Sequence, residues 1–156
     1  MLAKGLGALI AAAVIAAPPT AQARHGYVIT TVEAKQSWHK TRLRLVGHGT
    51  LRFSASGKWI FNPSQPAVGG AGAENLSTAG RASYTFSGRE GREGQLIAKI
   101  GHGAPFVAGA DGVHKIKRGE VGPLSLMIND DYKQSAGAGL ADNSGHLRVR
   151  IDYRTK

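Results

Sequence analysis

Apolar and polar residues alternate with a period of two in several segments, and this alternation constrains the fold more than any other feature. In the run 147–154, Leu147, Val149, Ile151 and Tyr153 alternate with three arginines and one aspartate. The same pattern occurs in TRLRLV (41–46), TLRFSASG (50–57), QLIAKIG (95–101) and PLSLMIND (123–130). Such alternation is typical of antiparallel strands that bury one face. Because no helical pattern separates these runs, we predict an all-β, single-domain antiparallel β-sandwich or jelly roll.

Residues 1–23 differ in composition from the rest of the chain. Lys4 precedes an apolar run over 5–17, and the segment closes on Ala21-Gln22-Ala23. A basic start, an apolar run and a small-residue cleavage pattern indicate a secretory signal peptide, with an uncleaved anchor as the alternative. The run is shorter than the roughly 20 residues of a membrane span. We therefore expect a mature domain of 24–156, in the periplasm or outside a bacterial cell, with no membrane span after cleavage.

The chain is strongly basic and contains no cysteine, which excludes disulfide bonds. It has twenty Lys and Arg against ten Asp and Glu, and removing 1–23 removes one Lys and leaves a net charge of +9. Such a charge favours contact with polyanions. However, arginine at every second strand position is also typical of a solvated sheet face, where it discourages edge aggregation. No aromatic cluster interleaves with these arginines, so a specific nucleic-acid surface is not expected.

Catalytic signatures are absent from the sequence. There is no G-x-S-x-G and no phosphate-binding glycine loop before a helix. Ser37-x-x-Lys40 matches a serine–lysine pair, but this short match is frequent by chance and its companion motifs are missing. The six histidines are scattered and form no H-x-H or H-x-x-x-H pair, which argues against zinc. We expect that the protein is not an enzyme.

Acidic and amide side chains gather in one segment of this basic chain. Asp130 and Asp131 follow one predicted strand, and Asp142 and Asn143 precede the next. We predict that the two strands are neighbours in one antiparallel ladder, so that the loop between them returns Asp130 to Asp142 and Asn143. Hard oxygen ligands of this kind suit Ca²⁺, although Asp, Asn, Ser and Gly are also ordinary turn residues. The spacing is not that of an EF-hand.

Three segments resemble the small bacterial calcium-dependent galactose-binding lectins of the LecA (PA-I-like) type. They are AKQSWHKTRLRLVGHGTLRFSASGKW (34–59), QLIAKIG (95–101) and LSLMINDD…DNSGHLRVRI (124–151), in the family's order. The resemblance covers about residues 32 to 151 and implies a jelly-roll β-sandwich. The last segment, which resembles the family's final hairpin, is the most specific. Two departures are Lys58-Trp59, which replaces a direct Gly-Trp, and the 62–80 loop, onto which no family residue carries over.

The resemblance also implies a calcium site at the loop end, completed by two ring hydroxyls of a sugar. Asp130 and Asn143 carry over as side-chain ligands, and Asp142 occupies a ligand position usually held by Asn. Phe61 and Gly139 are the best matches for main-chain carbonyl ligands. The expected sugar-binding residues are accordingly Asp130, Asp142 and Asn143, acting through the ion.

Together these features predict a secreted, non-enzymatic, calcium-dependent lectin for galactosides or other diol-bearing glycans. One alternative is a periplasmic structural or adaptor β-sandwich in which calcium only stabilises a loop. A second alternative is a basic polyanion-binding protein. A homo-oligomer is compatible with this prediction.

Overall fold

The computed structural model describes residues 24–74, 84–86, 91–134 and 138–156, so the predicted signal peptide lies outside the described residues. The described part forms an all-β sandwich, as predicted. Its strands are β1 (Arg24–Glu33), β2 (His39–Leu45), β3 (Gly49–Ile60), β4 (Leu96–Ile100), β5 (Phe106–Val107), β6 (Val113–Ile116), β7 (Gly122–Ile128) and β8 (Ser144–Thr155). The helical structure within these ranges is one short 3-10 turn, Gly139–Ala141. No helix among the described residues has the length and apolar character needed to cross a membrane.

Two four-stranded sheets pack face to face. The first sheet has the order β1-β8-β3-β6 and the second β2-β7-β4-β5, and the neighbouring strands of each sheet pair antiparallel. Every connection except β4–β5 therefore crosses from one sheet to the other, which is a jelly-roll arrangement. The sequence-based prediction that 124–128 and 147–153 are ladder neighbours is wrong, because β7 and β8 belong to different sheets.

The first sheet follows the predicted alternation. In β8, Leu147, Val149 and Ile151 are fully buried, while Arg148 and Arg150 are exposed. β8 lies between β1 and β3, and its register with β3 is unbroken from Gly49–Thr155 to Ile60–Ser144. β3 therefore continues three residues past Gly57, where the alternating run TLRFSASG ends. The sheet has one apolar inner face and one basic outer face.

The second sheet departs from the half-buried pattern. Ile97 in β4 and Met127 in β7 are paired across the two strands and lie on the sheet face opposite to the one that carries Ala98 and Leu126. Ile97 and Met127 are nevertheless fully buried. The segment before β2 covers part of this outer side: Ser37 Oγ lies 3.7 Å from Met127 Sδ, and Lys99 Nζ lies 4.1 Å from the ring centre of Trp38. Continuous apolar runs are typical of strands buried on both faces.

The core lies between the sheets and extends to the end of the sandwich where β3 stops and β8 starts. Trp59 and Phe53 are its largest fully buried side chains. The Trp59 indole N–H donates a 2.7 Å hydrogen bond to the carbonyl of Gly94. The Trp59 main chain also exchanges two hydrogen bonds with Val68 in the following loop. These contacts fix the loop segments at this end, which is where the acidic cluster lies.

Candidate metal and ligand site

β7 in the second sheet ends at Ile128 and β8 in the first begins at Ser144, so the described residues 129–134 and 138–143 belong to a connection between the two sheets at one end of the sandwich. Asp130 and Asn143 lie at the two ends of this connection, close enough for the Asn143 side chain to lower the pKa of the Asp130 carboxylate. The predicted convergence of these two residues is therefore present. The two residues approach each other because the connection from β7 to β8 crosses between the sheets, and not because they flank the predicted hairpin.

Two buried oxygens at this point have no protein hydrogen-bond partner. They are Asp130 Oδ2 and Asn143 Oδ1, and the two residues are 5% and 0% exposed. The other carboxylate oxygen, Asp130 Oδ1, accepts a 2.7 Å hydrogen bond from the main-chain N–H of Asp131. Leaving a buried polar atom unpaired costs about 1–3 kcal/mol, and more for a charged group. Two such oxygens on neighbouring side chains are a feature to be expected where a cation binds.

The electrostatic environment of Asp130 also favours a bound cation. Burial raises its pKa, the nearby Asn143 side chain and the hydrogen bond from the Asp131 N–H lower it, and the charges of Asp142 and Asp131 raise it again. The net effect is a raised pKa, so the ionised carboxylate is disfavoured in the metal-free protein. A divalent cation would offset this unfavourable charge.

Asn143 is held in one orientation. Its side-chain amide donates a 3.2 Å hydrogen bond to the carbonyl of Ala34, just after β1, and the N–H of Ala34 donates to the carbonyl of Gly145 at 3.0 Å. Because the nitrogen is the donor, Oδ1 is the atom that remains available as an acceptor. The end of β1 thus positions a ligand oxygen on the start of β8.

The three other predicted ligands lie around this pair. Continuing the β3–β8 register one residue past Ile60–Ser144 sets Phe61 opposite Asn143. Gly139 is buried with a φ of +56°, and a β-carbon there would collide with the main-chain oxygen of Asp131. Asp142 directly follows the 3-10 turn and is exposed to solvent. Phe61, Gly139 and Asp142 therefore remain predicted ligands.

The donor set is mixed in chemistry. Among the residues that the structure describes, no three His, Cys, Asp or Glu side chains converge as a metal-binding group. The predicted set contains two aspartates, one asparagine and two main-chain carbonyls, all of them oxygen donors. Such a set suits Ca²⁺, which binds carboxylates, amides and carbonyls together. The residues present therefore fit a calcium ion.

Sequence reasoning missed several neighbours of the site. Asn129 is fully buried, and its amide bonds the main chain of Phe86 and Arg92 at 3.0–3.1 Å, so it joins two loop segments. Tyr84 donates to Glu93 at 3.3 Å, and its pKa is raised by burial, by Glu93 and by Asp130. No short motif marks Tyr84 or Glu93, because loop packing alone brings them near Asp130.

A recess of about 360 Å³ lies beside Phe61, in the described part of the 62–80 loop. It is lined by Phe61, Gln65, Pro66, Val68, Gly72, Ala73 and Glu74. The recess combines an apolar floor with an amide and a carboxylate. Sequence reasoning had assigned no residue in this loop.

Comparisons with known proteins identify the fold class. No protein-family profile matches the chain, and no curated protein matches it. Among solved structures, the chain is similar to the N-terminal domain of EclA, described as a PllA-like lectin. The TM-score is 0.56 at 20% sequence identity, over 81% of this chain and 94% of that one. The protein thus has a lectin-like jelly-roll β-sandwich fold.

Proposed function

We propose that residues 24–156 form a calcium-dependent carbohydrate-binding domain of the lectin class. The observation that carries the proposal is the pair of buried oxygens without protein partners, Asp130 Oδ2 and Asn143 Oδ1, at one end of a lectin-like sandwich. A basic protein that collects carboxylates and amide oxygens at one loop end can bind a cation there. The similarity to a PllA-like lectin domain supports a glycan as the ligand.

In this proposal the calcium ligands are the side chains of Asp130, Asp142 and Asn143 and the carbonyls of Phe61 and Gly139. They supply about five or six oxygens of the six to eight that Ca²⁺ takes, which leaves positions for a sugar diol. The bound ion would orient that diol, and no covalent bond would be made or broken. Two carboxylates would neutralise the ion and hold it more firmly than one.

The chain's own residues would have separate tasks. Asn143 is positioned by Ala34, so its oxygen needs little reorganisation when a cation arrives. The Asp142 side chain is exposed, so a ligand in solvent can contact it. The recess beside Phe61 offers Gln65 and Glu74 to the parts of a sugar that the ion does not hold. Galactosides are the first sugars to test, because the three segments resemble LecA-type lectins.

A second candidate function follows from the depth of the site. Asp130 and Asn143 are almost completely buried, and the loop that carries them joins the two sheets. An ion at this depth could serve only to fix the loop of a structural or adaptor sandwich. The predicted signal peptide would deliver either protein to the periplasm or outside a bacterial cell.

Thermal unfolding with calcium and with chelator, followed by a glycan array in both conditions, tests the proposal. A ligand that binds only the folded state raises its melting temperature by mass action. We expect calcium to raise the melting temperature and to permit binding of diol-bearing glycans. Asp130→Asn should reduce both effects, whereas Asp152→Asn, on the outer face of the first sheet, should reduce neither. An identical melting temperature with and without calcium would overturn the proposal.

A further inference from the structure

The outer face of the first sheet carries a dense set of cations. The strand register and the exposure of the side chains show that six Lys and Arg residues point outward on β3, β6 and β8. We call this surface the basic face, and its cations are Arg52, Lys58, Lys115, Arg148, Arg150 and Arg154. Two carboxylates share the face, those of Asp152 and Glu33. The net charge of this sheet face is strongly positive.

Most of these cations have no ion pair among the described residues. Arg150 is the exception: its guanidinium binds Asp152 through two nitrogens at 2.7–3.2 Å and lies 4.2 Å from the ring centre of Tyr27. That pair neutralises Asp152 and leaves the other five cations for an external anion. Solvation and protection against aggregation require exposed charge. They do not require that nearly every charge have the same sign.

Hydroxyl side chains alternate with the cations. Across the strands, Arg148 lies between Thr31 and Ser56, and Arg154 lies between His25 and Thr50. Neighbouring strands are about 4.8 Å apart and outward positions along a strand about 6.7 Å apart. Arg148 and Arg154 thus each have a hydroxyl side chain on an adjacent strand, about one sugar-ring length away. This pattern matches a polymer that carries both acidic groups and hydroxyls.

The same face is poorly suited to other polyanions. A single-stranded nucleic acid needs exposed aromatic rings for its bases, and the exposed Tyr27 ring is already occupied by Arg150. A four-stranded sheet face is also too broad to enter the major groove of a duplex, which admits a helix or a two-stranded ribbon. We propose that the basic face binds an acidic polysaccharide, through its sulfate or carboxylate groups and hydroxyls, at a surface separate from the loop-end site.

Binding to dextran sulfate and polygalacturonate, measured by calorimetry in chelator and at several salt concentrations, tests the proposal. Chelator removes any calcium-dependent sugar binding, so this test is independent of the proposed function. We expect binding that weakens with salt, and no binding of neutral dextran. The triple variant Arg52→Gln/Arg148→Gln/Arg154→Gln should bind about tenfold more weakly, as expected for the loss of several charged contacts.

The matched control removes three arginines from elsewhere, as Arg42→Gln/Arg44→Gln/Arg118→Gln, all of them exposed. Its affinity should change less than threefold at the same net charge. Equal losses in the two triple variants, with melting temperatures unchanged, would overturn the assignment to this face. Stronger binding of single-stranded DNA, or of anionic phosphatidylglycerol vesicles, than of both polysaccharides would overturn the assignment of the partner.

Discussion

The side-chain amide of Asn143 donates a hydrogen bond to the main-chain carbonyl of Ala34, which lies 109 positions earlier in the chain. This bond joins the end of β1 to the start of β8 and uses the amide nitrogen of Asn143 as its donor. The oxygen of the same side chain is left buried without a protein partner, next to Asp130. A structural role and a proposed ligand role therefore belong to two atoms of one residue, and substitutions can separate them.

Asp130→Asn should have opposite effects on stability with and without calcium. In chelator it should raise the melting temperature, because it removes a desolvated charge that Asp142 and Asp131 repel. In millimolar calcium it should lower the melting temperature relative to wild type, because a charged ligand is lost. Differential scanning calorimetry in the two buffers measures both signs. A decrease in both buffers would mean that Asp130 serves the fold and binds no ion.

Asn143→Ala should destabilise the protein even in chelator, by about 1–3 kcal/mol. The substitution leaves the buried carbonyl of Ala34 without its side-chain donor. Asp142→Ala should cost much less in chelator, because that side chain is exposed, but it should weaken calcium binding. Urea unfolding and calcium titration of the two variants make the comparison. If both variants behave alike in chelator, the bond to Ala34 carries no stability.

The alternation of apolar residues was enough to predict the fold class and five of the strands. It missed β1, where Tyr27, Val28 and Ile29 interrupt the alternation, and the short β5 and β6. It also gave β7 the wrong partner, because a period of two specifies which face is buried and not which strand lies alongside. Jelly-roll pairing depends on contacts between distant segments, such as Ile151 with Val28 and Phe53.

The candidate site was predictable only in part. Asp130 and Asn143 could be paired from their composition and from the family resemblance, although the predicted hairpin was wrong. Tyr84 and Glu93 could not be found, because their nearness to the site arises from loop packing with no sequence period. Asn129 adjoins Asp130 in the sequence, but no motif marks its hydrogen bonds to Phe86 and Arg92. The recess beside Phe61 was missed for the same reason.

Trp59→Phe should destabilise the protein by about 1–3 kcal/mol. The fully buried indole donates a hydrogen bond to the carbonyl of Gly94, and phenylalanine would leave that oxygen unpaired. Trp38→Phe, at a half-buried tryptophan for which no such bond is found among the described contacts, should cost less. Denaturant midpoints at equal m-values provide the measurement. Equal costs would show that indole volume matters here rather than the hydrogen bond.

Glu120 should contribute a small pH-dependent stability. Burial raises its pKa, but hydrogen bonds from the Lys117 N–H at 2.8 Å and from His114 at 3.0 Å hold the pKa below its ordinary value. A carboxyl whose pKa is lower in the folded state stabilises the protein above its unfolded pKa, near 4.3, and this contribution is lost as the pH falls through the folded pKa.

Glu120→Gln should accordingly lower the free energy of unfolding at pH 7 by less than about 1 kcal/mol, since the carboxylate is partly solvent-screened. The difference from wild type should shrink toward pH 3. Urea unfolding at the two pH values measures it, with the exposed Asp111→Asn as control. A loss of the same size at both pH values would rule out the ionised hydrogen bonds as its source.

The most direct test of the proposed function is calorimetric titration of a simple galactoside in calcium and in chelator. We expect binding in calcium with a Kd in the millimolar to high micromolar range, roughly what a monosaccharide in an open site can achieve, and no heat of binding in chelator. Asp130→Ala should abolish this binding, and Arg148→Gln/Arg150→Gln, on the outer face of the first sheet, should leave it intact. Tight calcium binding together with no response to galactosides or to a broad glycan array would contradict the lectin proposal, and would leave calcium with a purely structural role.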